Sequence, residues 1–126
     1  MYWGCSSTPA ACDSVSSDTG FPTTAADQLR FNRFVARLAH ERGLAVGLKN
    51  DVEQAAALVG DFDFAVNEEC FTYGECASLR PFTAAGKAEL HVEYEHQPAQ
   101  FCATTAALGF SSMRKNVNLD APRWPC

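Results

Sequence analysis

The run Leu44-Ala-Val-Gly-Leu-Lys-Asn-Asp-Val-Glu-Gln-Ala-Ala-Ala-Leu-Val-Gly-Asp-Phe-Asp-Phe-Ala-Val-Asn67 decides the fold. Leu44–Lys49 is a short apolar run closed by Asn50-Asp51, the pattern of a buried strand ending in a turn. Residues 52–59 are rich in Ala, Glu and Gln, which favour helix, and Gly60 supplies the stop. Phe62–Asn67 is a second apolar run. Strand, helix and strand in immediate succession describe a βαβ unit with a parallel sheet.

The same alternation continues outward. Ala77–Ala85 reads as a short helix stopped by Gly86, and Ala88–Tyr94 as a third strand. Pro98–Leu108 is helical from its Pro start to Gly109, and Phe110–Lys115 is a fourth strand. Upstream, Thr24 and Asp27 form a capping-box signature. Phe31, Phe34, Val35 and Leu38 recur at helical spacing as the expected core-facing stripe, and Gly43 ends that helix. Residues 1–23 are Ser-, Thr-, Gly- and Pro-rich and read as an irregular arm, which leaves 24–126 as the folded domain. The fold class is therefore α/β, with about four strand–helix units and a parallel sheet, either a small open α/β domain or the back half of a (β/α)8 barrel, which takes ~250 residues. A four-stranded sheet of that kind has open edges, which favour self-association.

Composition narrows the function. The chain has 126 residues, with Lys+Arg 10 against Asp+Glu 15 and a net charge of -5. A nucleic-acid binder neutralising phosphates needs the opposite balance. No apolar run is long enough for a membrane span, and the first residues lack the basic and apolar regions of a signal peptide. Six cysteines are nonetheless many for a reducing compartment. None stands in the C-x2-C spacing of a structural zinc site, so disulfides are expected. Cys70 and Cys76 are candidates for a local bridge, and Cys102 and Cys126 for a tie between the last helix and the tail. Disulfides point to an extracellular protein, and the missing leader then suggests a chain start that is not the natural one.

Polar residues gather at the C-terminal ends of the strands: Lys49-Asn50-Asp51, Asn67-Glu68-Glu69, Glu93-Tyr94-Glu95 and Arg114-Lys115-Asn116. That edge is where α/β sheets and barrels bind ligands. The segment Asp63-Phe-Ala-Val-Asn-Glu-Glu-Cys-Phe-Thr-Tyr-Gly-Glu-Cys76 places carboxylates among aromatics beside a candidate disulfide loop. Phe71, Tyr73 and Tyr94 offer flat faces to sugar rings, as do Trp3 and Trp124 near the termini. Glycoside cleavage uses two carboxylates, an acid on the leaving oxygen and a nucleophile or base across the bond. Strand alternation alone leaves Glu68 and Glu69 open as the candidate. His91, His96 and Glu93 form a weak metal-ligand pattern, so no metal is assigned. His40 reads as a cation at a helix C-terminus. No G-x-S-x-G elbow, dinucleotide fingerprint or P-loop occurs, and no cofactor is expected.

Gly20-Phe-Pro-Thr-Thr-Ala-Ala-Asp-Gln-Leu29, Gly43-Leu-Ala-Val-Gly-Leu-Lys-Asn-Asp51, Val66-Asn-Glu-Glu-Cys-Phe-Thr-Tyr-Gly-Glu-Cys76 and Ala85-Gly-Lys-Ala-Glu-Leu-His-Val-Glu-Tyr94 together resemble glycoside hydrolase family 114. These are endo-α-1,4-polygalactosaminidases related to spherulin 4. The resemblance implies a secreted barrel that cleaves a cationic, galactosamine-containing polysaccharide within the chain. It implies Glu68 as the acid/base residue, and Lys49, Asn67, Glu93 and Tyr94 as substrate-binding residues. The family's second carboxylate lies in a G-C-D-G-V-E-x-D-N segment. Here Ala11-Cys-Asp-Ser-Val15 is followed directly by Ser16-Ser-Asp-Thr-Gly20, so that carboxylate has no counterpart and neither Asp13 nor Asp18 matches it. A chain with impaired cleavage, or a remnant that only binds glycan, is the resulting expectation.

Overall fold

The computed structural model describes residues 2–4, 20 and 22–126, with backbone alone for 2–4. Cys5, Cys12, Asp13, Asp18 and the Trp3 side chain lie outside the described residues. Among the described residues six strands form one sheet in sequential order: β1 (Tyr2–Gly4), β2 (Val46–Lys49), β3 (Phe64–Glu68), β4 (Glu89–Glu93), β5 (Ser111–Lys115) and β6 (Arg123–Pro125). β1 to β5 are parallel and β6 returns antiparallel along β5. The four strands read from sequence are β2–β5. The arm 1–23 contains β1, which three residues cannot announce through periodicity.

Helices connect the parallel strands: α1 (Ala25–His40), α2 (Ala55–Leu58), α3 (Arg80–Ala84) after a 3₁₀ turn at Cys76–Leu79, and α4 (Pro98–Ala107). α2 is shorter than the helical composition of 52–59 suggests, since residues 52–54 form turns. The start of α1 is built as its sequence reads. Asp27 N–H donates to Thr24 Oγ1 at 3.2 Å, and Thr24 N–H to Asp27 Oδ2 at 2.9 Å, satisfying two donors that helix geometry leaves over. At its far end His40 Nε2 lies 3.0 Å from Asp63 Oδ2, which also accepts the Val46 N–H.

The stripe expected to face the core from α1 does not. Phe31 and Phe34 are 53% and 46% exposed, and the buried residues are Gln28, Asn32, Ala36 and Ala39. Ala36 and Ala39 let the helix approach the sheet closely, which two phenylalanines would prevent. Gln28 and Asn32 are tolerated inside because Gln28 Nε2 donates to Asn32 Oδ1 at 3.1 Å, and Asn32 in turn finds a partner on the β2–α2 turn. The Phe34 ring instead lies under the Arg37 guanidinium.

The core sits between sheet and helices: Val46, Leu48 and Ala65 against Ala36, Ala39, Ala55, Leu58, Phe62, Leu79, Phe82 and Phe110. Because side chains alternate along a strand, Gly47, Lys49, Phe64, Val66, Glu68, Leu90 and Val92 share the opposite, concave face. Gly47 leaves room there for the Phe64 ring, which an added Cβ would force to shift. Among the described residues no helix is long and apolar enough to cross a membrane.

Among the described residues two disulfides close loops, Cys70–Cys76 beside β3 and Cys102–Cys126 from α4 to the tail. Cys126 N–H also donates to Ser112 O, so the second bridge holds β6 at the sheet edge. Cys102→Ser is expected to cost about 3 kcal/mol through chain entropy returned to the unfolded state by opening a loop of sequence separation 24. An unchanged midpoint in denaturant titration would show that β6 holds without the bridge.

Candidate functional site

Three neighbouring strands deliver three side chains to one point. Lys49 ends β2, Glu68 ends β3, and Tyr94 follows β4 directly. Lys49 Nζ donates to Glu68 Oε2 at 2.6 Å and Tyr94 Oη to Glu68 Oε1 at 2.5 Å. The Lys49 and Glu68 side chains are 11% and 12% exposed, an ion pair largely withdrawn from water. Burial pushes the Glu68 carboxyl up, but Lys49 and Tyr94, with the Asn50 amide, outweigh it and hold it below the usual carboxylate range. Burial, then Glu68, drive the Tyr94 phenol well above its ordinary value, so it remains a proton-bearing donor.

The chain leaves the site sharply. Asn50, Asp51 and Glu69 all adopt left-handed backbone, with φ of 55°, 51° and 64°, a conformation Asn and Asp tolerate better than most and one that gathers at functional edges. Asn50 is buried. Its N–H donates to Val66 O at 2.8 Å, and its Oδ1 accepts from Glu68 N–H at 2.9 Å and Asn67 Nδ2 at 3.3 Å. Burial and the nearby Glu93, Glu68 and Glu95 push the Glu69 carboxyl up. Adjacent carboxyls are thus driven apart, with Glu68 ionised and Glu69 easier to protonate.

Asn67 and Glu93, expected at the ligand edge, face the helices instead. Each stands one residue from a concave-face neighbour, so alternation turns it away. Asn67 is 1% exposed and its Oδ1 accepts the Cys70 N–H at 2.9 Å. Glu93 is fully buried and accepts from Phe71 N–H at 2.8 Å, Thr72 Oγ1 at 2.7 Å and His91 Nε2 at 2.8 Å. Burial opposes its ionisation, but His91, Thr72 and Phe71 prevail and lower it. His91 Nδ1 meets Ser112 Oγ at 3.0 Å. Ser112, His91 and Glu93 resemble a nucleophilic triad in composition only. All three are sealed under the helices, and the serine and acid sit on the opposite ring nitrogens from those such a triad uses. The set anchors the disulfide loop.

Cys70, Cys76 and His91 offer atoms within 4.8 Å of one another. The two sulfurs are joined to each other, and both His91 nitrogens are engaged, so this donor set lacks the thiolates a metal would need. His96 packs edge-on against Phe71. Trp124 lies under the Arg114 guanidinium, 4.8 Å from its ring centre, while Arg114 Nε donates to Tyr94 O at 3.2 Å and buttresses the site from β5. Tyr73 is exposed. Asn50 and Arg114 lay in strand-end clusters already marked by sequence, but their roles depend on cross-strand contacts that spacing does not show.

A carboxylate at the C-terminal end of a parallel strand, held by a cation and a phenol from the strands beside it, defines the ligand-binding edge of an α/β barrel wall. Residues 7–126 match the model of Glycoside-hydrolase family GH114, and the chain belongs to that family. It is similar to a solved structure described as Aspergillus fumigatus Ega3 in complex with galactosamine, at 30% identity and a TM-score of 0.80, over 90% of this chain and 51% of that one. The chain therefore spans about half the length of that structure, as a partial barrel. No curated protein matches it.

Proposed function

We propose that the strand-end edge of this chain binds an α-1,4-linked galactosamine polysaccharide, with Glu68 as one of the two carboxylates of endo-cleavage. Lys49 and Tyr94 hold Glu68 and contact sugar beside it; Asn67 and Glu93 support the edge from behind. The observation that carries this reading is the convergence of Lys49 and Tyr94 on the two oxygens of Glu68 at the rim of the sheet. A galactosamine ammonium is the kind of cation an ionised, partly desolvated carboxylate selects, and the net charge of -5 favours its approach. Two disulfides and the family support an extracellular setting.

The family's second carboxylate has no matching position, and glycosidic cleavage depends on the pair acting together. Incubated with de-N-acetylated galactosamine oligomers, the 126-residue chain is expected to bind them without releasing shorter products, as read by mass spectrometry. Release that disappears in Glu68→Gln would instead show a complete catalytic pair. Absence of binding would overturn the glycan reading.

A further inference from the structure

We propose that Asn50 is a positioning residue for Glu68, its side-chain oxygen fixing the main chain from which that carboxylate projects. The proposal concerns the site assigned above and rests on that assignment only for its functional meaning. Glu68 closes β3: on the β4 side the pairing continues through Glu69 N–H to Val92 O at 2.8 Å, but on the β2 side the ladder runs out here, where Asn50 turns left-handed. The donor left at that point is the Glu68 N–H, and Asn50 Oδ1 accepts it at 2.9 Å. Asn50 itself continues the β2–β3 pairing through its N–H on Val66 O. One residue therefore bridges the ends of both strands, from a left-handed conformation that only a few side chains tolerate.

The turn that carries Asn50 is tied down as well. Asn32 Nδ2, from the buried face of α1, donates to Asp51 Oδ2 at 2.8 Å, and Gln28 donates to Asn32. This accounts for a helix that buries two amides and leaves two phenylalanines outside. A line of hydrogen bonds runs from α1 through Asn32, then along the turn from Asp51 to Asn50, and ends on the Glu68 backbone. Asn67, second on the same oxygen at 3.3 Å, passes the constraint to the Cys70 N–H and so to the disulfide loop.

Two variants separate conformation from hydrogen bonding. Asn50→Gly accepts the left-handed backbone and keeps the N–H to Val66, yet removes the acceptor. Its melting temperature is expected to fall by a few degrees, because the Glu68 N–H and the Asn67 side-chain amide lose their shared acceptor. The Glu68 amide is expected to exchange at least about tenfold faster, beyond any change at the other β3 amides. The Glu68 carboxyl, followed by carbon NMR, is expected to titrate at higher pH, because the Asn50 amide is among the groups that lower it. Asn50→Asp keeps an acceptor at the same place and is expected to restore the amide protection. Unchanged Glu68 exchange in Asn50→Gly, or loss of protection in Asn50→Asp equal to that in Asn50→Gly, would overturn the proposal. Both readouts work without substrate, so they report on Asn50 even if the glycan assignment fails.

Discussion

Lys49→Met is expected to destabilise the protein by about 4 kcal/mol at neutral pH, the cost of leaving one charge of a buried pair without its partner. Lys49 and Glu68 are both nearly withdrawn from solvent, so water cannot replace the lost ammonium. Tyr94 still donates to one Glu68 oxygen, but the other faces the shortened side chain. The pH dependence follows from the lowered carboxyl. In the parent, ionised Glu68 contributes stability above the ordinary carboxylate pKa, and that contribution is lost as pH falls through its depressed value. In the variant, burial is no longer opposed by the cation, Glu68 protonates more readily, and the difference between the two proteins narrows in acid. Glu68→Gln added to Lys49→Met is expected to recover much of the loss. Urea unfolding at neutral and mildly acidic pH measures this directly, and equal stability of parent and Lys49→Met at pH 7 would contradict it.

Glu89→Gln is expected to act in the opposite direction, raising stability by about 3 kcal/mol at pH 7 and by almost nothing near pH 4. Glu89 starts β4 on the helix side, 1% exposed, and neither carboxyl oxygen has a hydrogen-bond partner among the described residues. Burial alone pushes it up to about 8. A group whose folded pKa is raised contributes fully below its unfolded pKa and loses that contribution as pH rises through the folded value. The penalty therefore accumulates from the ordinary carboxylate range to about pH 8. Gln keeps the shape of the protonated acid and does not titrate, so the gain should grow with pH across that window. A pH-independent difference between parent and variant would show that Glu89 does not carry a raised pKa.

β2 and β3 were legible in the sequence as short, mainly apolar runs closed by a turn or a helix signal, while β4 (Glu-Leu-His-Val-Glu) and β5 (Ser-Ser-Met-Arg-Lys) were placed by the helix stops at Gly86 and Gly109 that precede them. The apolar run of β3 hid its orientation. A strand covered on both faces shows no alternation of apolar and polar residues, so nothing in β3 told Glu68 from Asn67; β4, Glu-Leu-His-Val-Glu, does alternate, and its pattern already set Tyr94 apart from Glu93. α1 shows the related failure. Its strongest apolar stripe, Phe31 to Leu38, has helical period, but contact with the sheet is set by the small residues Ala36 and Ala39 and by two amides that find partners only in the folded chain. The capping box and the Cys70–Cys76 bridge were readable because they rest on local spacing, and Cys102–Cys126, offered only as a candidate among many pairings of six cysteines, is the pairing found. The support of Glu68 by Asn50 was not, because it joins residues on different strands.

Amide and side-chain NMR of the chain titrated with a de-N-acetylated galactosamine oligomer tests the site most directly. The largest shifts should centre on Lys49, Glu68 and Tyr94, and Glu68→Gln should weaken binding at least about tenfold, as expected for a charge-assisted contact. Shifts centred elsewhere, with Glu68→Gln binding as tightly as the parent, would contradict the placement of an amino sugar on this carboxylate.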